Sequence, residues 1–178
     1  FEQETADRVP VKSTIIPFTR NAFDPMDFTP VCFTEYDHNT RITGNGAELA
    51  QAVIFFSGVQ HYAETPAGMA TVPDYVKEMM KEIPVSWDET KFIDGYPGDY
   101  VVIARRKGTT WYVAGINGED SPKNLSFELP FEINQPGTII TEGNDHRSFS
   151  KNELQQNKEG KIEVTLNPNG GFVAMWNP

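Results

Sequence analysis

The chain has 178 residues, of which 38% are hydrophobic and 12% aromatic, so a packed core is expected and a disordered chain is excluded. Asp and Glu number 25 against 15 Lys and Arg, which gives a formal charge of −10. An acidic surface repels a phosphate backbone, so we expect no nucleic acid partner. The apolar run 53–56 is far shorter than the ~20 residues of a membrane-spanning helix, so we expect no membrane partner. Cys32 is the single cysteine, which excludes an intrachain disulfide.

The first half of the chain predicts strands and helices in alternation. Residues 13–18 are a short apolar run between polar residues, which is typical of a buried strand. A proline-stiffened loop follows to about residue 44. Asn45 and Glu48 have the spacing of a capping box, and apolar residues then recur at helical spacing, so a helix is predicted over 46–57.

A second strand and a second helix repeat this order. The run 59–63 predicts another short strand. Pro73 and Asp74 open a helix whose apolar stripe ends before Pro84. Strand, helix, strand and helix make a β-α-β-α unit, in which the strands are parallel and the loops at their carboxyl ends carry function. The predicted fold class of residues 1–84 is therefore α/β.

After Pro84 the apolar residues recur with period two. Residues 99–107 and 110–115 predict a hairpin across a Lys-Gly-Thr turn, whereas the polar stretch 145–159 predicts loop and turn. Four further strands, each bounded by Gly, Pro, Asn or Asp, are predicted at 125–129, 137–141, 161–166 and 171–176. Together they predict an all-β region, an antiparallel β-sandwich over 85–178.

Polar side chains follow both predicted strands of the first half. Arg20, Asp24 and Asp27 come after the first strand, and Glu64 comes after the second. Because neighbouring parallel strands end at the same edge of a sheet, these groups could line a cleft that binds a polar ligand. The alternative is structural: Arg20 pairs with Asp24 or Asp27 and braces the loop.

Histidines and aromatic residues are the other candidates for chemistry. The three histidines lack metal-ligand spacing, and His61 is expected to be a hydrogen-bonded core residue. Four aromatic residues could stack against sugars or fill the core: Trp87, Trp111, Tyr112 and Trp176. Trp111 and Tyr112 are neighbours on a predicted strand and must face opposite sides, so at most one of them is a platform. Core packing is the favoured role of Trp87 and Trp176.

Two groups of motifs carry a resemblance to a known family. The first is Ile-Pro-Phe-Thr-Arg at 16–20 with Pro-Met-Asp-Phe-Thr-Pro at 25–30. The second is Trp-Asp-Glu-Thr at 87–90, the run from Gly98 to Gly108, and Trp-Tyr at 111–112. Over nearly the whole chain these motifs resemble glycoside hydrolase family 97, a family of α-glucosidases and α-galactosidases. Two positions depart from its pattern: Asp24 stands where Gly is usual, and Glu-Thr-Pro at 64–66 replaces Asp-Ser-Pro.

The resemblance implies a place within a longer protein. The family has an N-terminal β-sandwich, a central (β/α)₈ barrel and a C-terminal β domain. Residues 1–84 would be the last two β-α units of the barrel, and residues 85–178 would be the C-terminal β domain. The chain begins at Phe1 without a leader pattern, which is typical of a mature or excised segment. Because the family's chains are several times longer, the resemblance implies a fragment of a longer parent protein, whose missing N-terminal part is its partner.

The resemblance also implies an activity for the parent protein. It would hydrolyse terminal α-linked glucose or galactose from oligosaccharides, in the periplasm or outside the cell, with calcium as cofactor. The family's catalytic carboxylates and calcium ligands lie upstream, so this chain is expected to hold no catalytic or metal-binding residue and to be inactive alone. Arg20, Asp27 and Glu64 are expected to bind substrate. The alternative is a stand-alone carbohydrate-binding or scaffold module built on residues 85–178.

Overall fold

The computed structural model describes residues 3–29, 31–35 and 39–177. Helices come first: α1 Gln3–Asp7, α2 Val9–Ile15, a 3-10 turn Ile16–Phe18, α3 Arg20–Phe23, α4 Asn45–Ile54, α5 Pro66–Thr71 and α6 Asp74–Glu82. Strands follow: β1 Glu89–Tyr96, β2 Tyr100–Lys107, β3 Thr110–Asn117, β4 Lys123–Glu128, β5 Gly137–Glu142, β6 Phe149–Leu154, β7 Lys161–Leu166 and β8 Gly171–Trp176. None of the helices in the described ranges is long and apolar enough to cross a membrane.

The predicted strand over 13–18 is wrong, because this run forms the end of α2 and the 3-10 turn. Pro10 lies in the first turn of α2, where backbone N–H groups have no acceptor within the helix, so the proline costs no helical hydrogen bond. The Thr14 hydroxyl donates to the Val11 carbonyl at 2.8 Å, a bond local to the helix. Pro17 has no N–H to donate to a neighbouring strand, which disfavours a central strand. A short apolar run fits either element, and here the helix forms.

The predicted strand over 59–63 is also wrong. Gln60 forms an isolated parallel bridge with Phe28 and does not continue into a ladder. Val59 is 55% exposed, and His61 is exposed instead of lying in the core as predicted. A buried parallel strand needs backbone partners along its length. Within the described residues this segment has only the one bridge, so it remains an extended connection between α4 and α5.

Both helices predicted from apolar periodicity are confirmed. Helix α4 occupies Asn45–Ile54, which is three residues shorter at its C-terminus than the predicted 46–57, and every residue in it is buried. Helix α6 buries one stripe, formed by Val76, Met79 and Met80, and ends before Pro84. A helix that is apolar on all sides must be covered on all sides, and α4 is buried along its whole length.

The antiparallel β domain predicted after Pro84 is confirmed. Six strands form one sheet in the order β1-β2-β3-β8-β5-β6, and β4 pairs with β7 in a second sheet. All named pairs in both sheets are antiparallel, and the β2–β3 hairpin runs in register from Tyr100–Asn117 to Lys107–Thr110. Side chains from the two sheets share one apolar cluster, which includes Val113, Phe127 and Ile162. The two sheets therefore pack as two layers around that cluster.

Two strands were not predicted from the sequence. The predicted loop over 145–159 is wrong in its middle, because β6 pairs there with β5 over six residue pairs. Residues 151–153 of β6 are exposed and polar, as is usual for an edge strand, so the apolar alternation that marks a strand is missing. Strand β1 lies at the opposite edge of the sheet and carries a register shift between Phe92 and Asp94. Such a shift interrupts the period of two that predicts a strand.

Helix α4 covers the other face of the six-stranded sheet. Leu49 and Val53 of α4 belong to the same apolar cluster as Val101, Ile116 and Val173 of β2, β3 and β8. The core cluster on this face thus contains residues from before and after Pro84. The domain boundary at residue 84 stays a prediction from the sequence pattern.

Candidate functional site

The carboxylate of Glu64 binds the backbone of the loop between α3 and α4. Its Oε2 accepts hydrogen bonds from the backbone amides of Phe33 at 2.6 Å and Thr34 at 2.8 Å. Its Oε1 accepts from the Thr34 hydroxyl and from the Thr65 amide. Partial burial acts to raise the pKa of Glu64, but these hydrogen bonds outweigh it, and the pKa lies below its ordinary value. Glu64 is therefore an ionised acceptor and is not suited to act as a general acid.

A second carboxylate, Glu48 of α4, binds the next residue of the same loop. Glu48 is 6% exposed, and its Oε2 accepts from the Cys32 amide at 3.3 Å. Its Oε1 accepts from the Thr43 hydroxyl at 2.5 Å and from the Gln51 side chain at 3.4 Å. Glu48 and Glu64 together bind the amides of three consecutive residues, 32 to 34. This fixes the position of that loop relative to α4.

Cys32 and Thr34 of this loop line a cavity of about 720 Å³ between α1, α2 and α4. Phe28, Val31 and Phe55 provide apolar wall, and polar groups of Arg41, Thr43 and Glu48 also face it. Volumes of this size are typical of small-molecule sites. Burial is the main cause that lowers the pKa of the Arg41 guanidinium, which stays charged at neutral pH. The cavity is mainly apolar, and the charged groups of Arg41 and Glu48 that face it are already bonded to the protein.

Among the described residues, no hydrogen bond or ion pair joins Arg20 or Asp27 to Glu64. Both are exposed, and Arg20 Nη1 donates weakly to the main-chain carbonyl of Asp24 at 3.4 Å. No ion pair joins Arg20 to Asp24 or Asp27 among the described residues. The parallel bridge places Gln60 opposite Phe28, so Glu64 runs alongside Phe33 and Thr34 instead of alongside Asp27. The structure therefore does not bring the three predicted substrate residues into one hydrogen-bonded group.

The N-terminus of α4 is bound by Glu142, the last residue of β5. Glu142 is 5% exposed, and its Oε1 accepts from the amides of Ala47 and Gly171, each at 3.0 Å. Burial raises the pKa of this carboxyl, although the amides it accepts from act in the opposite direction. Gly44 allows the contact, because a Cβ on it would lie 2.3 Å from Glu142 Oε1. A carboxylate at a helix N-terminus also meets the positive end of the helix dipole.

The C-terminus of α4 is bound by Arg105 of β2. Arg105 is 4% exposed and donates to the carbonyls of Ile54 at 3.0 Å and Phe55 at 3.4 Å. Its guanidinium also lies 5.6 Å from the ring centroids of Phe56 and Trp87. Burial lowers its pKa to about 10, so it stays charged at neutral pH. Glu142 and Arg105, which we call the α4 clamp, thus place opposite charges at the two ends of one helix.

The four aromatic candidates for a sugar platform belong to the core or to its margin. Trp176 is buried in the cluster between the two sheets, and Tyr112 is buried on the α4 face, so the prediction that Trp111 and Tyr112 face opposite sides is confirmed. Trp87 packs edge-on against Tyr112, as predicted for a core residue. Trp111 stacks on Phe131 with ring centroids 4.4 Å apart, which covers one of its faces. The arrangement is that of a packed β domain.

Across residues 3–29, 31–35 and 39–177, no three His, Cys, Asp or Glu side chains group closely enough to hold a metal ion. The described residues therefore do not fit a calcium site.

Sequence reasoning missed Arg41, Glu142 and Arg105 of this site and assigned Glu48 the wrong role. Glu48 was predicted to complete a capping box with Asn45, but the N-cap residue is Gly44 and it has no side-chain cap. Instead Glu142, 95 positions away from Ala47, accepts the amide at that end. The available signal was an acidic and a basic residue that closely follow apolar residues, at Glu142 in β5 and Arg105 in β2. It marks buried charge without showing which backbone group is its partner.

Comparisons with known proteins agree with this fold. A family profile described as glycosyl-hydrolase 97 C-terminal, oligomerisation, matches residues 86–177. A retaining α-galactosidase of Bacteroides thetaiotaomicron is 32% identical over 178 residues, covering 89% of this chain and 26% of that protein. A probable retaining α-galactosidase of Streptomyces bingchenggensis is 34% identical over 169 residues, covering 93% of this chain and 26% of that protein. The chain thus spans about a quarter of the length of these curated relatives.

Solved structures share the same architecture. The crystal structure of a β-arabinopyranosidase matches with a TM-score of 0.92 and 31% identity, covering 99% of this chain and 29% of that chain. A glycoside hydrolase family 97 enzyme from Pseudoalteromonas sp. strain K8, solved in complex with panose, matches with a TM-score of 0.79 and 24% identity, covering 93% of this chain and 28% of that chain. At that identity the second match shows the fold alone.

The fold and these matches define the class of the chain as a C-terminal region of glycoside hydrolases. The chain belongs to glycoside hydrolase family 97. The family resemblance of its sequence motifs is thereby confirmed.

Proposed function

We propose that the parent protein is a retaining α-glycosidase that removes terminal α-linked galactose or glucose from oligosaccharides, with galactose as the preferred sugar. The observation that carries this proposal is the match of about 90% of the chain to two proteins named as retaining α-galactosidases. The structural relative is named a β-arabinopyranosidase, and an arabinopyranoside lacks the hydroxymethyl group that a galactopyranoside carries at C5. The proposed substrate class is therefore a pyranoside with a galactose-like ring.

Within that parent protein, we propose that residues 1–84 complete the catalytic barrel. The parallel bridge between Phe28 and Gln60 supports this, because it is the contact expected of two neighbouring parallel barrel strands. The exposure of Phe23 at 86% and Val59 at 55% supports it too, since such apolar side chains would be covered by the rest of a barrel.

The chain alone is proposed to be inactive. Retaining hydrolysis uses two carboxyl groups about 5–5.5 Å apart, one of which must be protonated to serve as general acid. Glu64 is held ionised by its hydrogen bonds, and Glu48 is occupied by the loop and by Thr43. Calcium binding and export to the periplasm or the exterior are proposed for the parent protein on the family resemblance alone, with the calcium ligands outside this chain.

Arg20 and Asp27 remain the candidates for direct substrate contact, and Glu64 is proposed to act beside them. Arg20 and Asp27 are exposed on the loop after the 3-10 turn, where sugar hydroxyls could reach them. Glu64 already accepts four short hydrogen bonds, which is about the capacity of a carboxylate, so its proposed contribution is to shape the loop beside the sugar.

The alternative of a stand-alone carbohydrate-binding or scaffold module has less support. Its aromatic candidates are buried or packed on other rings. One face of its large sheet is covered by α4, which comes from outside residues 85–178.

Hydrolysis assays on the full-length parent protein and on this chain alone test the proposal. We expect turnover of p-nitrophenyl α-galactoside by the parent protein, slower turnover of the α-glucoside, and none by the chain. A parent protein that hydrolyses neither sugar would overturn the proposed activity, and turnover by the chain alone would overturn the proposed absence of catalytic groups.

The substrate residues are tested by Asp27→Asn and Arg20→Met in the full-length parent protein. Loss of a charge-assisted hydrogen bond to a sugar hydroxyl should lower kcat/KM roughly tenfold to a hundredfold. Unchanged kcat/KM with a lowered melting temperature would leave these residues as braces of the loop.

A further inference from the structure

Arg147 lies in the turn between β5 and β6 and reaches from the β domain onto the loop that lines the cavity. We define this loop as the Arg41 loop, residues 31–35 and 39–44. Arg147 Nη1 donates to the Thr43 carbonyl at 2.8 Å, Nη2 donates to the Arg41 carbonyl, and the guanidinium pairs with Glu35. Its side chain is 32% exposed, so these contacts are partly shielded from water. One side chain thus bonds to three positions of the loop.

The same turn binds the start of α4 through its backbone. The carbonyl of His146 accepts the Asn45 amide at 2.8 Å, and the carbonyl of Arg147 accepts the Asn45 side chain at 2.8 Å. Asp145 Oδ1 accepts the Arg147 amide at 2.7 Å and fixes the turn itself. The turn is therefore also bound by contacts other than those with the loop.

A continuous set of hydrogen bonds runs from this turn to Glu64. Arg41 donates to the Phe33 carbonyl at 3.0 Å and to Asn45 Oδ1 at 2.7 Å. Phe33 in turn donates its amide to Glu64 at 2.6 Å. Because Arg147 binds the Arg41 carbonyl, it restrains the residue that restrains Phe33. The Arg41 carbonyl and the Arg147 side chain that binds it are more than 100 positions apart in the chain.

We propose that Arg147 is a positioning residue through which the β domain sets the Arg41 loop, the loop proposed to lie beside the sugar in the parent protein. This role rests on the proposed function of the parent protein as a glycosidase. Arg147 touches no reacting atom; it acts through Arg41 and Phe33 on the loop that Glu64 and Glu48 bind. A lysine could not replace it, because a single ammonium cannot bond in a planar fork to two carbonyls and a carboxylate.

The test compares Arg147→Met with Arg106→Met in the full-length parent protein. Arg106 is a matched control, since its side chain is 31% exposed and it pairs with Glu89 at 3.2 Å near the opposite edge of the sheet. Hydrogen exchange is measured at the amides of Phe33 and Thr34, together with kcat and KM on p-nitrophenyl α-galactoside. Glu35→Gln is the graded variant, because it removes the ion pair and leaves both carbonyl contacts of Arg147 in place.

In Arg147→Met we expect the two amides to exchange at least about tenfold faster while strand amides of β2 and β3 are unchanged. A loop that contacts substrate in both ground and transition states should raise KM about threefold to tenfold and leave kcat near the wild-type value. Glu35→Gln should give a smaller change in both measurements, and Arg106→Met should give none in either.

Unchanged exchange at Phe33 and Thr34 in Arg147→Met would overturn the proposal. Faster exchange with an unaltered KM would also overturn it, because Arg147 would then brace the loop without setting the site. A wild-type parent protein without glycosidase activity would instead overturn the proposed function. Hydrogen exchange at Phe33 and Thr34 would still decide whether Arg147 orders the loop.

Discussion

The region before Pro84 and the β domain after it use different groups to fix their backbones. In the β domain the strands pair through backbone hydrogen bonds, and the β2–β3 pair alone has eight registered positions. Among the described residues before Pro84, the two long loops share one isolated bridge, between Phe28 and Gln60, and a backbone hydrogen bond from Met26 to Phe56. Charged side chains replace the missing ladder there: Glu48 and Glu64 bind loop amides, and Arg41 binds loop carbonyls.

This difference has an energetic consequence. A ladder distributes its stabilisation over many bonds of about 0.5–1.5 kcal/mol each, so the loss of one side chain leaves the others in place. A loop bound by one carboxylate loses several bonds when that carboxylate is removed. Helix α4 belongs to the first region by sequence but is bound at both ends by charges from the second. The α4 clamp is therefore where substitutions in the β domain should disturb the first region most.

The largest effect is expected from Glu142→Ala. The amides of Ala47 and Gly171 would lose their acceptor while buried, so the free energy of unfolding of the chain should fall by about 2–4 kcal/mol. Urea denaturation measures it, with Glu153→Ala on exposed β6 as control, for which less than about 0.5 kcal/mol is expected. Equal effects of the two substitutions would show that the carboxylate contributes nothing at the helix end.

Arg105→Met tests the other end of α4 and should have a smaller effect. The carbonyls of Ile54 and Phe55 would lose a donor, which lowers the stability of the folded chain. The substitution also removes the desolvation penalty of a buried charge, which offsets part of that loss. We expect a loss of about 1–2 kcal/mol in urea, and we expect faster amide exchange at Phe56 than at Ala47. Uniform acceleration along the whole of α4 would contradict a local role at its C-terminus.

Gly44→Ala tests whether the close approach of loop and carboxylate matters. The added Cβ would lie 2.3 Å from Glu142 Oε1, although the backbone conformation of Gly44 is open to alanine. We expect a loss of about 1–2 kcal/mol in wild-type background and a clearly smaller loss in Glu142→Ala. Additive effects in this double-mutant cycle would mean that the added Cβ does not act through the Glu142 side chain.

Helices α4 and α6 and six of the antiparallel strands could be predicted because their signals are local. Apolar residues at helical spacing define α4, and period-two alternation defines the β2–β3 hairpin. The two predicted parallel strands failed because a short apolar run such as 13–18 has no local property that separates strand from helix. Strand β6 was missed because its edge position allows polar side chains.

The candidate site was less predictable than the fold. Glu64 was found from its position after an apolar run, but its partners, Phe33 and Thr34, are 30 or more positions away. Glu142 and Arg147 lie in the β domain, where period-two patterning gives no reason to connect them with a loop of the first half. Contacts of this range arise only when the elements are packed, so a single sequence does not encode them in any local pattern.

The smallest predicted effect compares the two regions through pH. Burial raises the folded-state pKa of Glu142 above 4.5, so its ionised form is disfavoured in the folded chain, and its contribution to stability should fall as pH rises from about 4.5 through that pKa. Hydrogen bonds from Thr34, Thr65 and Phe33 lower the folded-state pKa of Glu64, so its contribution is complete above about 4.5 and is lost as pH falls through the lowered value. Urea denaturation of wild type, Glu142→Gln and Glu64→Gln between about pH 3.5 and 7 should therefore give opposite trends: relative to wild type, Glu142→Gln gains stability toward neutral pH, and Glu64→Gln gains it toward acid. Trends of the same sign would mean that the two carboxylates share one environment. Their partners differ, because Glu142 accepts buried amides at the start of α4 whereas Glu64 accepts amides of a half-exposed loop.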